Sequence, residues 1–306
     1  MLRASFIALS ENRLLRHTAE GSSLGRRVSS RFVAGTTIEE VLKATQETNA
    51  LGMSVSIDNL GENVTNAEQA HVGAQLYHDL LERISGRSLN ANVSLKLTHM
   101  GFDVSEELAL NLVSSLVKHA RESGNFVRVD MEGSAYTERT LDLVQKIHGQ
   151  SDKRGAVGAV IQAYLRRSEA DIQNLISKGI RIRLCKGAYK EPSKIAFPDK
   201  SDVDANYTKL TRILLKSGVY HGIATHDEKI IDSTVAFAMA EKIPARAFEF
   251  QMLYGVRRDL QRELVKQGWR VRIYIPFGAE WYPYFMRRLA ERPANALFVA
   301  KNLLRA

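Results

Sequence analysis

The residues best able to do chemistry in this chain recur at regular intervals and share a local setting. Asp58 and Glu62, Lys96, Asp130 and Glu132, Gln162, Arg183 and Lys186, Thr225 and His226, Glu249 and Gln251, and Tyr274 each stand at or just past the end of a short β-rich run. Such a mixture suits a small charged ligand, because a lone ion in an enclosed mouth is costly unless another ion or a ligand pairs with it. After the last run, WYPYFMRRLAERPAN sets Tyr284, Arg287 and Arg288 at i, i+3 and i+4, on one helix face. Two adjacent guanidinium groups offer a double fork to a carboxylate or phosphate, and the tyrosine one turn earlier adds a flat wall. The residues by themselves leave open capture of a small anion, a Schiff base on Lys96 or Lys186, and a metal held by His226 with His99 and Asp130.

The elements that must position these groups are eight. They are MSVSIDNL from Met53, NVSLKL from Asn92, FVRVDM from Phe126, VGAVIQA from Val157, IRIRLCK from Ile180, GIATH from Gly222, AFEFQML from Ala247 and VRIYIP from Val271. Most gaps between them carry a helical apolar period, as in SEELALNLVSSLVKHARES and RRDLQRELVKQG. Repeated βα units require right-handed crossovers and a parallel sheet, and eight of them predict a closed, distorted (β/α)8 barrel with its chemistry at the C-terminal strand ends. No G-x-G-x-x-G follows the first strand, and GAVGAV, with Gly155 and Gly158, reads as a turn. Residues 1–45 are expected to form a helical arm outside the barrel and residues 46–306 the barrel itself, a single domain overall. Pro283 early in the last segment and Pro293 with Asn295 after it predict a short helix capping the barrel mouth.

Composition narrows the class. Of 306 residues 44% are apolar and 25% charged, which excludes disordered, collagen-like and low-complexity chains. The single cysteine, Cys185, forbids an intramolecular disulfide and a cysteine-based zinc or iron–sulfur site, so the chain reads as intracellular with Cys185 as a small hydrophobe of the fifth strand. No stretch approaches the roughly 18 uninterrupted apolar residues of a membrane-spanning helix. Glu11 and Glu20 favour a plain N-terminal helix over a transit peptide. A net charge of +9 permits attraction to an anionic membrane surface. Nucleic acid is not expected, since the basic residues are dispersed and no run interleaves them with stacking aromatics.

These segments resemble the proline dehydrogenase family in its single-function bacterial form. The resemblance runs from about Phe32 to Asn302 through FVAGTTIEEVL, SIDNLGE, VSLKLTHMG, RVDMEGS, VIQAYLRRS, IRLCKGAYKEP, IATHDE, FEFQMLYG and RIYIPFGAEWYPYFMRRLAERPAN. It implies a distorted (β/α)8 barrel that binds FAD non-covalently, oxidises L-proline to 1-pyrroline-5-carboxylate and passes electrons to a membrane quinone. A cytoplasmic location, with peripheral contact at the inner membrane face, and a separate pyrroline-5-carboxylate dehydrogenase go with that role. Residue by residue, it assigns Lys96, Arg287 and Arg288 to the substrate carboxylate, Asp130 to the active site beside the flavin, and Arg183 to the reactive flavin nitrogen. It gives Met131, Gln162, Lys186, Gly187, Ala188, Thr225, His226 and Glu291 to the flavin, and Tyr189, Leu253, Tyr274 and Tyr284 to the walls of the proline ring. It also pairs Glu62 with Arg287 as a gate.

Overall fold

The computed structural model describes residues 29–150 and 155–291, with Ser22 and Gly25 besides; of residues 287–291 it describes the backbone alone. Most of the expected N-terminal arm, together with Pro293 and Asn295, therefore lies outside the described residues. All eight expected strands form: β1 (Ser54–Asn59), β2 (Ala91–Leu95), β3 (Val127–Val129), β4 (Val157–Gln162), β5 (Arg181–Cys185), β6 (His221–Ala224), β7 (Phe248–Leu253) and β8 (Val271–Phe277). Each runs parallel to the next, and β8 pairs with β1 to close the barrel.

Alternation along the strands explains the two sides of this sheet. Val55 and Ile57, Val93 and Leu95, Ile182 and Leu184, and Ile273 and Ile275 are fully buried in one apolar core shared with the surrounding helices. The alternate positions turn to the barrel axis, because successive side chains on a strand point to opposite faces. They are mostly polar: Ser56 and Asp58, Asn92 and Ser94, Arg128, Arg183, Glu249 and Gln251, Arg272 and Tyr274. Polar atoms inside a barrel are costly unless they find partners, and most of these bond across the axis, while Oδ1 of Asp58 is buried without a hydrogen-bond partner.

Nine helices are described: α1 (Ile38–Ala50), α2 (Ala67–Gly86), α3 (Glu106–Glu122), α4 (Ser134–Gln150), α5 (Ser168–Ser177), α6 (Lys200–Lys216), α7 (Glu228–Ala240), α8 (Arg258–Lys266) and α9 (Trp281–Glu291). A capping box starts α1: the Thr37 hydroxyl accepts from Glu40 N, and the Glu40 carboxylate accepts from Thr36 N and Thr37 N. Its apolar side, Val41, Leu42 and Ala44, packs on both β1 and β8. That is the place in the outer ring where the helix after the eighth strand would lie in a regular barrel. The helix that does follow β8, α9, instead joins Phe32, Val33, Leu60 and Val256, all beyond the C-terminal strand ends, and so caps the mouth. The distortion is thus an exchange of positions, and the expected boundary at residue 45 falls inside α1.

One local reading is corrected. Gly155, at φ +65°, does make a turn, but Gly158 lies within β4. A Cβ there would fall 2.3 Å from the Arg181 carbonyl and 2.7 Å from Nη1 of Arg128, so glycine is required to admit the buried Arg128 side chain.

Candidate active site

Arg183 organises the mouth from β5. Its Nη1 donates to Oδ1 of Asp130 at 2.6 Å and to Oγ of Ser94 at 3.1 Å, its Nη2 donates to Oγ of Ser56 at 3.1 Å, and its Nε donates to Oε1 of Gln251 at 2.5 Å. Asp130, just past β3, accepts further bonds from Ser94 Oγ at 2.8 Å and from Tyr274 Oη at 2.9 Å. The guanidinium carbon lies 5.1 Å from the centre of the Tyr274 ring. Burial, with Asp130 and Asp58 nearby, raises the Tyr274 phenol well above its ordinary pKa, so it remains a donor. The result is a cation held in one orientation from four sides.

Lys96, just past β2, donates to Oδ2 of Asp58 at 3.3 Å. Burial works against its charge, yet Asp58, Asp130, Glu62 and Tyr189 outweigh that and raise its pKa above the ordinary lysine value. A permanently protonated amine is a poor nucleophile, which disfavours a Schiff base at Lys96 and favours an anion-binding role. Burial, with Asp130 nearby, raises the Asp58 carboxyl above its ordinary value although Lys96 works against the rise. Glu62 and Tyr189 thus lie near enough to Lys96 to act on its charge, on the loops beyond β1 and β5.

Of the groups assigned to a cofactor by resemblance, Met131 lies just past β3, Gln162 ends β4, Lys186, Gly187 and Ala188 follow β5, Thr225 and His226 follow β6, and Glu291 ends α9. Gln162 Nε2 donates to the Glu132 carbonyl at 2.8 Å, and Met131 is buried beside Asp130. Lys186 lies between Asp204, at 2.5 Å, and Asp227, at 2.8 Å. Gly187, at φ +105°, passes so close to Tyr164 that a Cβ would fall 2.2 Å from its ring, and Ala188 after it is exposed. Thr225 Oγ1 accepts from Asp227 N at 3.1 Å. His226 Nε2 accepts from Leu253 N at 2.9 Å, which engages one of its two ring nitrogens within the fold. Asp130 is likewise committed on both oxygens, and among the described residues no three His, Cys, Asp or Glu side chains are grouped to hold a metal. Asp204 and Asp227, the partners of Lys186, also line a groove of about 720 Å³ between α6 and α7, together with Lys200, Lys209, Arg212, Ile213, Lys229 and Ile230. Cations with aliphatic surface suit a pyrophosphate and a purine, so the donor set fits a flavin dinucleotide.

Leu253 packs against the apolar cap in which Tyr284 is buried, while Tyr189 is exposed at the rim. Arg287, Arg288 and Glu291 lie on α9, but their side chains are outside the described residues. Burial pushes the thiol of Cys185 up to about 12, which disfavours the reactive thiolate. Sequence reasoning missed Ser56, Ser94, Asp204 and Asp227. The two serines carried a usable signal, since they share strand parity with Asp58 and Lys96; the two aspartates carried none, because their pairing with Lys186 depends on how α6 and α7 meet.

A closed parallel barrel whose mouth gathers Lys96, Arg183, Asp58, Asp130 and Tyr274 at the C-terminal strand ends has the architecture of a (β/α)8 enzyme. The family model for proline dehydrogenase matches residues 41–301. Proline dehydrogenase 1 of Bacillus subtilis is 43% identical over the whole of both chains, and proline dehydrogenase of Deinococcus radiodurans is 41% identical over 91% of this chain and 90% of that protein. This chain belongs to the proline dehydrogenase family. Among solved structures, proline utilization A from Bdellovibrio bacteriovorus, inactivated by N-propargylglycine, superposes over 95% of the chain with a TM-score of 0.83 at 24% identity. The chain spans 36% of the length of that larger protein.

Proposed function

We propose that this protein oxidises L-proline to 1-pyrroline-5-carboxylate with bound FAD and delivers the electrons to a membrane quinone. The observation that carries the reading is the Arg183 guanidinium, held by Asp130, Ser94, Ser56 and Gln251, with the ammonium of Lys96 near enough to the same Asp130 to feel its charge. FAD, when bound, supplies the acceptor for the hydride lost from the ring carbon next to nitrogen. Lys96, Arg287 and Arg288 hold the substrate carboxylate, and Tyr189, Leu253, Tyr274 and Tyr284 wall the ring, so that the reacting carbon is held in place before reaction. Arg183 presents a fixed positive charge where negative charge develops. Met131, Gln162, Lys186, Gly187, Ala188, Thr225, His226 and Glu291, with the cations of the α6–α7 groove, would hold the dinucleotide. Glu62 and Arg287 form a gate over the substrate's access path. The protein works in the cytoplasm against the inner membrane face, and a separate dehydrogenase consumes its product.

Anaerobic addition of L-proline to the purified protein tests the reading. Bleaching of a flavin absorption band supports it. A colourless protein, or a flavin band that proline leaves unchanged, sinks it, and a borohydride-trapped adduct would transfer the role to a Schiff-base enzyme.

A further inference from the structure

Arg183 is steered from below as well as from Asp130. Gln251, whose Oε1 accepts from Arg183 Nε, donates from Nε2 to Oε1 of Glu249 at 2.6 Å. Glu249 is anchored in turn, accepting from Arg272 Nε at 2.6 Å and from Tyr220 Oη at 2.8 Å. Arg272 Nη1 donates onward to the Val55 carbonyl at 2.7 Å and to Asn92 Oδ1 at 2.9 Å. Arg183, Gln251 and Glu249 are all buried.

A carboxamide has two ends of nearly equal shape, one donating and one accepting. The neighbours of Gln251 tell those ends apart. A carboxylate accepts only and a guanidinium donates only, so one orientation satisfies both, and the reverse would set oxygen against oxygen and N–H against N–H. Burial works against the charge of Glu249, but Arg272, Tyr220 and Gln251 outweigh it and hold its pKa below the ordinary value. The chain also leaves room for this side chain. Gly222 on β6 stands in register with both Arg183 and Glu249, and a Cβ there would fall 2.3 Å from Nε2 of Gln251.

We propose that Glu249 and Gln251 are positioning residues: the Glu249 carboxylate fixes the Gln251 carboxamide, which fixes the Arg183 guanidinium in the plane it presents to the barrel mouth. Both act through Arg183, and their bearing on catalysis rests on the reading that Arg183 serves proline oxidation.

The test begins with the flavin-loaded protein labelled with ¹⁵N at arginine Nε. A short, buried Nε–H bond gives a strongly downfield, slowly exchanging resonance, identified by its loss in Arg183→Lys. Gln251→Met, close in shape but without a carboxamide, is expected to abolish that resonance and to slow proline-driven bleaching about 10- to 100-fold, with KM for proline within about 2-fold of the original. Glu249→Gln, which lets Gln251 turn over, is expected to broaden the resonance and slow bleaching about 3- to 10-fold. Absence of the resonance in the parent protein, its survival in Gln251→Met, or a loss confined to KM would each overturn the relay. So would variants that only lower Tm and bleach normally at lower temperature. If Gln251→Met fails to fold, the parent spectrum and Glu249→Gln carry the test. A parent protein that shows the resonance but is not bleached by proline would refute the catalytic reading and leave the relay standing.

Discussion

Replacing Asp130 by leucine should damage the fold chiefly through the arginine it abandons. The Arg183 and Asp130 side chains are only 8% and 13% exposed, and their 2.6 Å contact is enclosed by Ser94 and Tyr274. Removing one partner of such a pair strands a desolvated charge, at a cost of about 3–5 kcal/mol. For a domain of this size that corresponds to a fall in Tm of about 5–8 °C. Arg183→Met alone should cost a similar amount by stranding Asp130. The double variant Asp130→Leu with Arg183→Met leaves no charge behind, and its loss should not exceed that of either single variant, giving a coupling of about 3 kcal/mol. Urea unfolding of the four proteins at one pH, followed by circular dichroism, measures this directly. Losses that simply add would refute the view that these ions hold each other in place. All three variants should also lose proline-driven bleaching, whatever their stability, because each removes or frees the guanidinium.

Lys96→Met and Arg288→Met should each raise KM for proline about 30- to 150-fold, the equivalent of a charge-assisted bond worth roughly 2–3 kcal/mol, while flavin stays bound; unaltered kinetics in either would show that its cation does not meet the carboxylate. Burial, with Lys96 nearby, lowers His99 to about 4, and burial, with Arg128 and Arg181, lowers His221 to about 3, so both are neutral in the fold and charge more readily when unfolded. Their contribution is intact above the unfolded value near 6.5 and is lost as pH falls, by about 2 kcal/mol each at pH 5; His99→Gln should therefore lose about 2 kcal/mol less than the parent between pH 7 and pH 5, and equal slopes would disprove it. Glu62→Ala should leave Tm nearly unchanged but impair turnover, and adding Arg287→Ala should cost little more, whereas additive losses would exclude the gate.

The strands and their order were legible because each run alternates, with Val55, Ile57, Val93 and Leu95 on one parity and Ser56, Asp58, Ser94 and Lys96 on the other. Location at the mouth followed, since parallel strands carry their C-terminal ends to one side. What each polar group touches did not. The bond from Arg183 to Gln251 joins residues 68 positions apart, and that to Ser56 joins residues 127 apart. Which groups meet is set by the stagger of the closed sheet, a quantity no short segment encodes. Lys186 shows the same limit: its charge was evident, but Asp204 and Asp227, which hold it, come from two helices whose packing lies outside local pattern. Gly158 misled because glycine in a short Gly-rich string reads as a turn, while the cause of this one is an arginine from the neighbouring strand.

The placement of α1 also bears on how the chain comes to be folded. The first strand is synthesised early, yet its edge partner Arg272 lies 218 positions beyond Ser54, so that edge stays open until nearly the whole barrel has left the ribosome. Contacts so distant in sequence form late, and an unpaired strand edge in the meantime invites association with other chains. Because α1 directly precedes β1 and packs on it, it can dock while β8 is still missing and shield the growing sheet on one side. The β1–β8 seam then becomes the last joint to seal and the first to part, and hydrogen exchange at Leu60, whose N–H donates to the Phe277 carbonyl across that seam, should outpace that at Val127, whose N–H donates to the Ala156 carbonyl between β3 and β4.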